Sequence, residues 1–414
     1  MLLSLVHRLF ALISLIVLAV GVYLAWSWWR LYDRLAPAPG ESVDTQAWRL
    51  GIGLALVALS VFGRPLMTWL LGRSGEDAER LRRRPRQALQ TSSGAELSVE
   101  REGPADAPAI VLVHGWGMEA GFWWEARRRL SGRFQVIAYD LAGLGRSKPP
   151  RDKGIRMERF ADDLATVVRE AAPRKVILVG HSIGGMTVLT FCRRHPEMLS
   201  RQVVGVVLEN TTADNPFRTT ALGNLLYAAR PLLRPLMWLD VWLQPLVWAM
   251  NWQAYLSGST HLGMRLSGFG ARPTRAQLEH VSLDTTRNSP AILAKGNLAM
   301  MEWRIEDELP QIRVPALVFI GSRDLVTTPR AGEAIAWRLP HARPERVENA
   351  GHMGPLEFAG AYNAAIEVFA DEVFTQGAKS ADAPLGSGHS VFGAEPAPSH
   401  DPPRRPDEPR TFTP

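Results

Sequence analysis

Two long apolar segments open the chain, and short hydrophobic runs alternate with amphipathic stretches over most of the remainder. The first segment, about Leu9 to Trp29, carries no charge and is long enough to span a bilayer. Several tryptophans close it just before Arg30, an order typical of a membrane interface. The second segment, Leu50 to Leu71, contains Arg64 and Pro65. These two residues leave two interpretations of the second segment. It is an interfacial or re-entrant segment, or it is a second span in which the side chain of Arg64 reaches the nearer headgroups. We expect a transmembrane hairpin of two helices.

The charges beside these segments predict which side of the membrane the larger part of the chain occupies. A cleaved signal peptide is the alternative to an anchor, but bulky tryptophans stand where a small-residue cleavage site is needed. The loop between the segments holds Arg34 among acidic residues, whereas a basic linker, residues 72–88, follows the second segment. Its arginines are Arg73, Arg80, Arg82, Arg83, Arg84 and Arg86. The positive-inside rule predicts a protein held in membrane lipids by residues 1–71, with its larger part on the cytoplasmic side.

From about Leu89 the hydrophobic pattern changes to short strands separated by helical stretches, which argues for a parallel sheet. Two weaker runs, Leu89–Thr91 and Glu96–Glu100, predict a pair of antiparallel strands at the beginning of the sheet. The clearer strands are Ala109–Val113, Gln135–Tyr139, Val176–Val179, Val203–Leu208, Ala316–Ile320 and Pro344–Val347. Helical stretches such as Glu158 to Ala171 and Arg330 to Arg338 separate most of them. The predicted fold class is α/β.

The alternation is interrupted by residues 214–299, which have little strand pattern but many prolines and tryptophans. We interpret this stretch as a helical cap inserted between two parts of an α/β core, residues 89–213 and 300–376. Packing of its tryptophans against the core is one interpretation. Because its leucines and tryptophans provide more apolar surface than a lid over a polar substrate needs, our hypothesis is that the cap touches the membrane. Residues 377–414 are rich in Ala, Pro, Gly, Ser and Asp, which predicts a disordered tail.

The charge balance and the cysteine content narrow the function classes. The net charge of +6 comes mainly from arginines beside the apolar segments, where lipid headgroups account for them. We find no nucleic-acid recognition motif and expect no nucleic-acid partner. Cys192 is the one cysteine, so an intramolecular disulfide is impossible and a cysteine-based zinc site is not expected. Neither an H-E-x-x-H spacing nor a dinucleotide glycine fingerprint is present, so we expect no metal and no cofactor.

The stretch Lys175–Met186, K-V-I-L-V-G-H-S-I-G-G-M, has the pattern of a buried strand that turns sharply into a helix. It contains G-x-S-x-G with Ser182 at its centre, which is the pattern of a nucleophile elbow. A turn this tight strains the backbone of Ser182 and leaves no room for side chains at Gly180 and Gly184. The strain exposes the hydroxyl of Ser182. It also directs the Ile183 N–H, at a helix N-terminus, toward an oxyanion.

The partners that a serine nucleophile needs follow downstream in a specific order. Asp324 and His352 each stand just after a predicted strand, so both should meet Ser182 at the carboxyl edge of the sheet. His352 is the candidate base that removes the serine proton, and Asp324 is the candidate acid that holds the tautomer of His352. Glu209, at the end of the preceding strand, is the rival acid. His341 is the rival base, but it enters a strand rather than leaving one.

The order Ser, Asp, His and the motifs around these residues resemble the α/β-hydrolase family with a cap domain, over about residues 89–374. The motifs are H-G-W-G (114–117), D-L-A-G-L-G-R-S (140–147), G-H-S-I-G-G (180–185), G-S-R-D (321–324) and G-H (351–352). The resemblance implies a mostly parallel sheet with helices on both faces. It also implies that the backbone N–H of Trp116 is the second oxyanion donor, beside that of Ile183.

These residues favour a membrane-anchored serine hydrolase that cleaves carboxylic esters, of a lipophilic acyl type, through an acyl-enzyme. Its substrate would be a small-molecule or lipid ester, with Ser182, Asp324 and His352 as catalytic residues. The family also hosts thioesterases, amidases and cofactor-free perhydrolases, and the fold alone does not choose among them. A non-catalytic membrane scaffold that kept the fold is the alternative from another class. The acyl chain, the leaving group and the oligomeric state stay open at this level.

Overall fold

A sheet of eight strands forms the centre of the larger part of the molecule in the computed structural model, which describes residues 2–35, 45–75 and 86–381. The strands are β1 (Gln87–Gln90), β2 (Glu96–Glu102), β3 (Ala109–Val113), β4 (Gln135–Tyr139), β5 (Val176–His181), β6 (Val203–Glu209), β7 (Ala316–Gly321) and β8 (Ala342–Val347). Their order across the sheet is β1-β2-β4-β3-β5-β6-β7-β8. β2 runs antiparallel to both β1 and β4, and the other neighbours are parallel. The predicted strands are therefore confirmed, with small shifts at their ends.

The composition of the strands explains this arrangement. Every residue of β3, β5, β6 and β7 is buried, as expected for parallel strands that are covered on both faces. These strands consist largely of Val, Ile and Leu, which pack well on a pleated surface. The outer strands β1 and β8 carry polar residues that stay exposed to solvent. The carboxyl ends of the central strands thus share one edge of the sheet.

Helices cover both faces of the sheet and form two further groups outside it. They are α1 (Leu2–Leu35), α2 (Trp48–Leu71), α3 (Trp124–Leu130), α4 (Met157–Glu170), α5 (Ile183–Arg194), α6 (Gly223–Ala228), α7 (Arg230–Trp242), α8 (Gln244–Ser257), α9 (Ser259–Ser267), α10 (Arg275–Arg287), α11 (Pro290–Glu302), α12 (Pro329–Arg338), α13 (Gly354–Glu357) and α14 (Ala359–Ala381). Apolar residues of α4, α5 and α12 form one core layer, and those of α3 and α14 form the other. The mostly parallel sheet with helices on both faces is confirmed.

The insertion between β6 and β7 is helical, as the loss of the strand pattern predicts. It contains α6 to α11, and its last helix ends at Glu302, a little beyond the predicted boundary. Several of its large apolar side chains are exposed rather than packed, among them Leu232 at 72% and Trp242 at 75%. The cap therefore presents an apolar outer surface on α6 to α8.

The predicted boundaries of the tail and of the basic linker also move. Helix α14 continues to Ala381, so the prediction of a disordered tail is wrong for residues 377–381. The remainder of that tail, residues 382–414, lies outside the described residues. The predicted basic linker ends earlier than expected, because β1 already begins at Gln87. Its residues 76–85, which include most of the arginine cluster, also lie outside the described part.

The two N-terminal apolar segments form long helices that pack against each other. The contact is close at Gly53, where an added Cβ would lie 2.8 Å from the carbonyl oxygen of Gly21. Helix α2 continues without interruption through Pro65, so the apolar segment forms a single helix of 24 residues. Both helices are long and apolar enough to cross a membrane. In each, 17% of the most apolar window is buried, whereas a helix in the core of a soluble protein is mostly buried.

The hairpin formed by α1 and α2 is docked on the cap. Ser14 of α1 shares a hydrogen bond with Ser257 at the end of α8, with 2.7 Å between the two hydroxyl oxygens. Gly263 of α9 allows α1 to approach, because an added Cβ there would lie 3.2 Å from the ring of Phe10. On α2, an added Cβ at Gly63 would lie 2.5 Å from the carbonyl oxygen of Ser257. The hairpin and the cap are therefore packed together as one unit.

Arg64 makes a polar contact between α2 and the cap instead of reaching toward lipid headgroups. Its guanidinium lies 2.6 Å from Glu279 of α10 and 3.1 Å from the hydroxyl of Tyr255 on α8. The other carboxylate oxygen of Glu279 lies 2.8 Å from Nε2 of His261. Burial alone would raise the pKa of Glu279, but the hydrogen bonds from His261 and Tyr255 and the charge of Arg64 lower it to about 2. The carboxylate is therefore ionised at neutral pH and neutralises Arg64.

Removing the charge of Glu279 should weaken the docking of the hairpin. The variant Glu279→Gln leaves Arg64 without its anionic partner, and we expect it to lower the free energy of unfolding by about 1–3 kcal/mol at pH 7. Because the pKa of Glu279 is depressed from 4.5, this contribution is present above pH 4.5 and is lost as the pH falls toward 2. Thermal unfolding of the detergent-solubilised protein at pH 7 and pH 3 measures both effects.

The matched control for this prediction is Glu302→Gln. Glu302 pairs with Arg234 on the cap surface, where the two side chains are 64% and 60% exposed, so its loss should change Tm very little. Equal destabilisation by the two variants would contradict a docking role for Glu279.

Candidate active site

Ser182 stands at a strained turn between β5 and α5. Its backbone has φ 55° and ψ −119°, a conformation that is uncommon for a residue with a side chain. An added Cβ at Gly184 would lie 2.0 Å from the carbonyl oxygen of Val113. An added Cβ at Gly180 would lie 2.5 Å from the carbonyl carbon of Gly184. The G-x-S-x-G segment therefore forms the tight strand-to-helix turn expected from the sequence, with glycines where a side chain would collide.

Asp324 and His352 lie beside Ser182. Nε2 of His352 is 3.0 Å from Oγ of Ser182, and Nδ1 of His352 is 2.9 Å from Oδ2 of Asp324. The histidine and the aspartate are each 2% exposed, whereas Ser182 is partly exposed. This geometry fits a neutral imidazole that donates Nδ1–H to the carboxylate and accepts the serine hydroxyl proton at Nε2. The structure thus brings the predicted nucleophile, base and acid together.

Donors around Asp324 hold its carboxylate in the ionised form. The N–H groups of Val326 and Thr327 donate to Oδ1 at 2.7 and 2.9 Å, and the hydroxyl of Thr327 donates to Oδ2 at 2.7 Å. Burial alone would raise the pKa of Asp324, but the charge and hydrogen bond of His352 and the bonds from Thr327 outweigh it. The pKa of Asp324 therefore lies below its usual value. An anionic carboxylate at this place stabilises a protonated imidazole.

Asn210 and Thr327 are site residues that the sequence analysis missed. The side-chain amide of Asn210 donates to Oδ2 of Asp324 at 3.2 Å and to the carbonyl oxygen of Gly351 at 2.9 Å. Its own oxygen accepts a hydrogen bond from the hydroxyl of Tyr362 at 2.7 Å. The signal near Thr327 is an aspartate at the start of a turn, because Asp side chains commonly accept from the backbone N–H two residues on, as Asp324 does from Val326. Asn210 has no signal beyond its place just after β6.

The rival acid and the rival base lie elsewhere. Glu209 is completely buried, and its carboxylate has no hydrogen-bond partner among the described residues. Burial raises its pKa to about 8, so the group is mostly neutral at pH 7. The backbone of His341 lies at the start of β7, where its carbonyl oxygen accepts from the N–H of Ala316. His341 is thus at the amino edge of the sheet, as expected, away from Ser182.

The other two histidines of the motifs support loops around the site. Nε2 of His181 lies 2.8 Å from the carbonyl oxygen of His352, so the ring of His181 fixes the backbone that carries the base. Nε2 of His114 accepts a hydrogen bond from the N–H of Leu141 at 3.0 Å. Burial lowers the pKa of His114 to about 4 and that of His181 to about 3. Both rings are neutral at pH 7.

The predicted oxyanion donors lie on the two segments that border Ser182. Ile183 is the first residue of α5, so its N–H has no acceptor within the helix. The loop with Trp116 passes directly over the turn, because an added Cβ at Gly115 would lie 3.5 Å from Cβ of Ser182. The indole of Trp116 packs against Gly296 of the cap. Its role at an oxyanion therefore depends on the backbone N–H, as the resemblance implies.

The cavity at Ser182 is small and mostly apolar. Its volume is about 40 Å³, and its lining includes Leu3, Ser4, Trp116, Met186, Met300 and Met353. Leu3 and Ser4 belong to α1, and the sequence analysis did not place that segment near the site. A larger cleft of about 780 Å³, between the start of the cap and α12, contains none of Ser182, Asp324 and His352. We therefore assign the chemistry to the smaller cavity.

Comparisons with known proteins agree with this architecture. The alpha/beta hydrolase family profile matches residues 110–365. A protein of Vibrio atlanticus (strain LGP32) named pimeloyl-[acyl-carrier protein] methyl ester esterase is 26% identical over 64% of this chain and 95% of its own length. A Caulobacter sp. (strain K31) protein provisionally named carbamate hydrolase RutD is 26% identical over 64% of this chain and 91% of its own length.

A solved structure agrees at the level of the fold. The esterase EaEST of Exiguobacterium antarcticum superposes with a TM-score of 0.58 at 20% identity, over 69% of this chain and 99% of that one. The family match itself extends over more than half of the residues. The chain therefore belongs to the alpha/beta hydrolase family and is a hydrolase with esterases among its relatives.

Proposed function

We propose that this hydrolase cleaves carboxylic esters with a lipophilic acyl group and that Ser182, His352 and Asp324 form its catalytic triad. The observation that carries the proposal is the continuous hydrogen-bonded chain from the serine hydroxyl through the imidazole to the carboxylate, at 3.0 and 2.9 Å. These distances lie within the range that proton transfer between a nucleophile and its base requires. An ester is also the substrate in the name of the Vibrio relative.

In the proposed reaction, Nε2 of His352 takes the proton of Ser182 while Oγ attacks the ester carbonyl carbon. The negative charge on the carbonyl oxygen is stabilised by the backbone N–H groups of Trp116 and Ile183. His352 then gives its proton to the leaving alcohol, and the acyl group remains on Ser182. A water molecule that loses a proton to the same imidazole then attacks the acyl-enzyme, and the imidazole returns that proton to Oγ of Ser182 as the carboxylic acid leaves. Asp324 stays ionised and keeps Nδ1–H of His352 in place.

The apolar surface of the cap supports a lipophilic substrate. Leu225, Leu232 and Trp242 are 65%, 72% and 75% exposed, although each has a large apolar side chain. Contiguous exposed apolar residues on a soluble domain mark an interaction site with a membrane or another protein. The cap is also packed on the hairpin, so this surface would lie next to the lipid into which α1 and α2 insert.

We further propose that α1 and α2 anchor the protein in a membrane, with the cap and the sheet on the cytoplasmic side. Helix α1 has 34 residues, and at about 1.5 Å per residue it is longer than the hydrocarbon core of about 30 Å. One part of α1 can therefore span the bilayer while its first turns remain on the cap. Those turns are tied to the folded domain, for example by the ion pair of Arg8 with the buried Asp240. Such contacts support a retained anchor over a cleaved signal sequence. The proposed side follows from the arginines after α2.

Replacing the nucleophile should abolish turnover. We expect Ser182→Ala to lower kcat by at least about 10⁴-fold, because the acyl-enzyme cannot form without the hydroxyl. Purified wild-type protein should also react with a fluorophosphonate probe, and Ser182→Ala should not. Ser131→Ala, at the end of α3, is the matched control and should keep both activity and labelling. A wild-type protein that neither labels nor hydrolyses any ester in a panel of chain lengths would favour the non-catalytic scaffold.

The identity of the acid can be tested separately. Asp324→Asn should lower kcat by about 10³ to 10⁴-fold, because an amide at this place favours the wrong tautomer of His352. Glu209→Gln should change kcat little, since the carboxylate of Glu209 is buried without contact to the imidazole. The ester that wild type cleaves fastest serves for both measurements. If Glu209→Gln were the more damaging variant, the assignment of the acid would be wrong.

A further inference from the structure

The first turns of α1 lie over the nucleophile, although α1 is separated from Ser182 by most of the chain and was expected to act only as an anchor. Leu3 and Ser4 line the cavity that contains Ser182 and His352. They also line a second cavity, which continues to His7, Asn251 and other residues of the cap. The two cavities share Trp116 and Met118 as well, so they lie side by side, and the start of α1 borders both of them.

Specific contacts hold these turns in place. The side-chain amide of Asn297 on α11 donates to the hydroxyl of Ser4 at 3.3 Å. One turn later, Arg8 forms an ion pair with Asp240 on α7, which is 6% exposed. Leu3 packs against the core layer that contains Met353, the residue after the base. The start of α1 is therefore a defined wall of the site rather than a loose end near it.

The cavity volumes show what this wall does to the available space. Each of the two cavities has a volume of about 40 Å³, little more than the space of one water molecule. Sites for small-molecule ligands usually have about 300–1,000 Å³. An acyl chain that starts at the carbonyl carbon above Ser182 must therefore displace side chains along its path. The unbranched side chains of Met186 and Met300 adapt to new shapes. Leu3 is the large aliphatic side chain that both cavities share.

We propose that Leu3 and Ser4 of α1 form one wall of the acyl pocket and determine which acyl chain lengths are accepted. The inference rests on the proposed ester hydrolysis. In this arrangement the acyl chain leaves Ser182, passes Leu3 and extends into the second cavity beside His7. The membrane helix then contributes residues that touch the substrate, and the two small cavities are separate parts of one acyl pocket. The side chain of Leu3 stands where the two cavities meet and acts as the barrier to long chains.

The test uses full-length protein in detergent and p-nitrophenyl esters from acetate to decanoate. Leu3→Ala removes the barrier and should raise the ratio of kcat/KM for decanoate over acetate by about tenfold or more, the scale expected for altered hydrophobic pockets. Leu3→Trp fills the junction and should lower the same ratio by a similar factor. Leu9→Ala is the matched control, because Leu9 lies on the same helix with its side chain 56% exposed. It should leave the ratio unchanged.

The outcomes separate this inference from the proposed function. If wild type cleaves esters and labels with a fluorophosphonate, but both Leu3 variants keep the wild-type ratio, the acyl pocket does not include α1 and only the present inference fails. If the wild-type protein neither cleaves esters nor reacts with the fluorophosphonate, both the proposed function and the present inference fail. Labelling of each variant at the wild-type rate shows that its site is folded. If Leu3→Ala does not fold, two other variants test the inference. Leu3→Trp and Ser4→Leu both place a larger side chain in the same wall, and both must lower the ratio of decanoate to acetate cleavage for the inference to stand.

Discussion

The strained backbone at Ser182 is the constraint on which the rest of the site depends. The positive φ of Ser182 is maintained by close packing around the turn. Gly184 lies against the carbonyl group of Val113, and Gly180 lies against the backbone of Gly184, so neither position has room for a side chain. The N–H of Ser182 is bonded to the carbonyl oxygen of Glu209, and the hydroxyl of Thr211 donates to the carbonyl oxygen of Ser182. The neighbouring strand β6 and the segment after it therefore keep the turn in its strained form.

The proposed base and the proposed acid are positioned by the same edge of the sheet. His352 follows β8 and Asp324 follows β7, and because these strands run parallel to β5 their carboxyl ends lie at the same edge of the sheet as Ser182. The strands bring His352 and Asp324 near Ser182, and hydrogen bonds then fix their positions. His181 is bonded to the backbone of His352, and Thr327 and Asn210 donate to the carboxylate of Asp324. Because these groups are buried, their interactions are stronger than they would be in water. The resulting site keeps the carboxylate of Asp324 ionised beside the imidazole of His352.

The hairpin and the cap share a boundary on which charges are paired. Arg64 meets Glu279, and Arg8 meets Asp240, so two arginines of the apolar helices have acidic partners on the cap. An unpaired charge at the border of an apolar helix costs free energy, and pairing reduces that cost. The pairs also fix the hairpin in one position on the cap. If the hairpin inserts in a bilayer, as we propose, the cap and the cavity at Ser182 must lie close to the lipid surface.

The sequence alone determined the elements and the chemistry that depend on local patterns. Strands of Val, Ile and Leu, the glycines around Ser182 and the order of Ser182, Asp324 and His352 predict the sheet, the turn and the meeting of the three side chains. They do so because neighbouring residues and the direction of parallel strands are sufficient for these features. Only the tertiary structure decided the partner of Arg64, the contact of Asn210 with Asp324 and the place of Leu3 in the cavity wall. Each of these contacts joins residues more than one hundred positions apart, and side-chain packing between separate elements selects such partners without leaving a pattern in the local sequence.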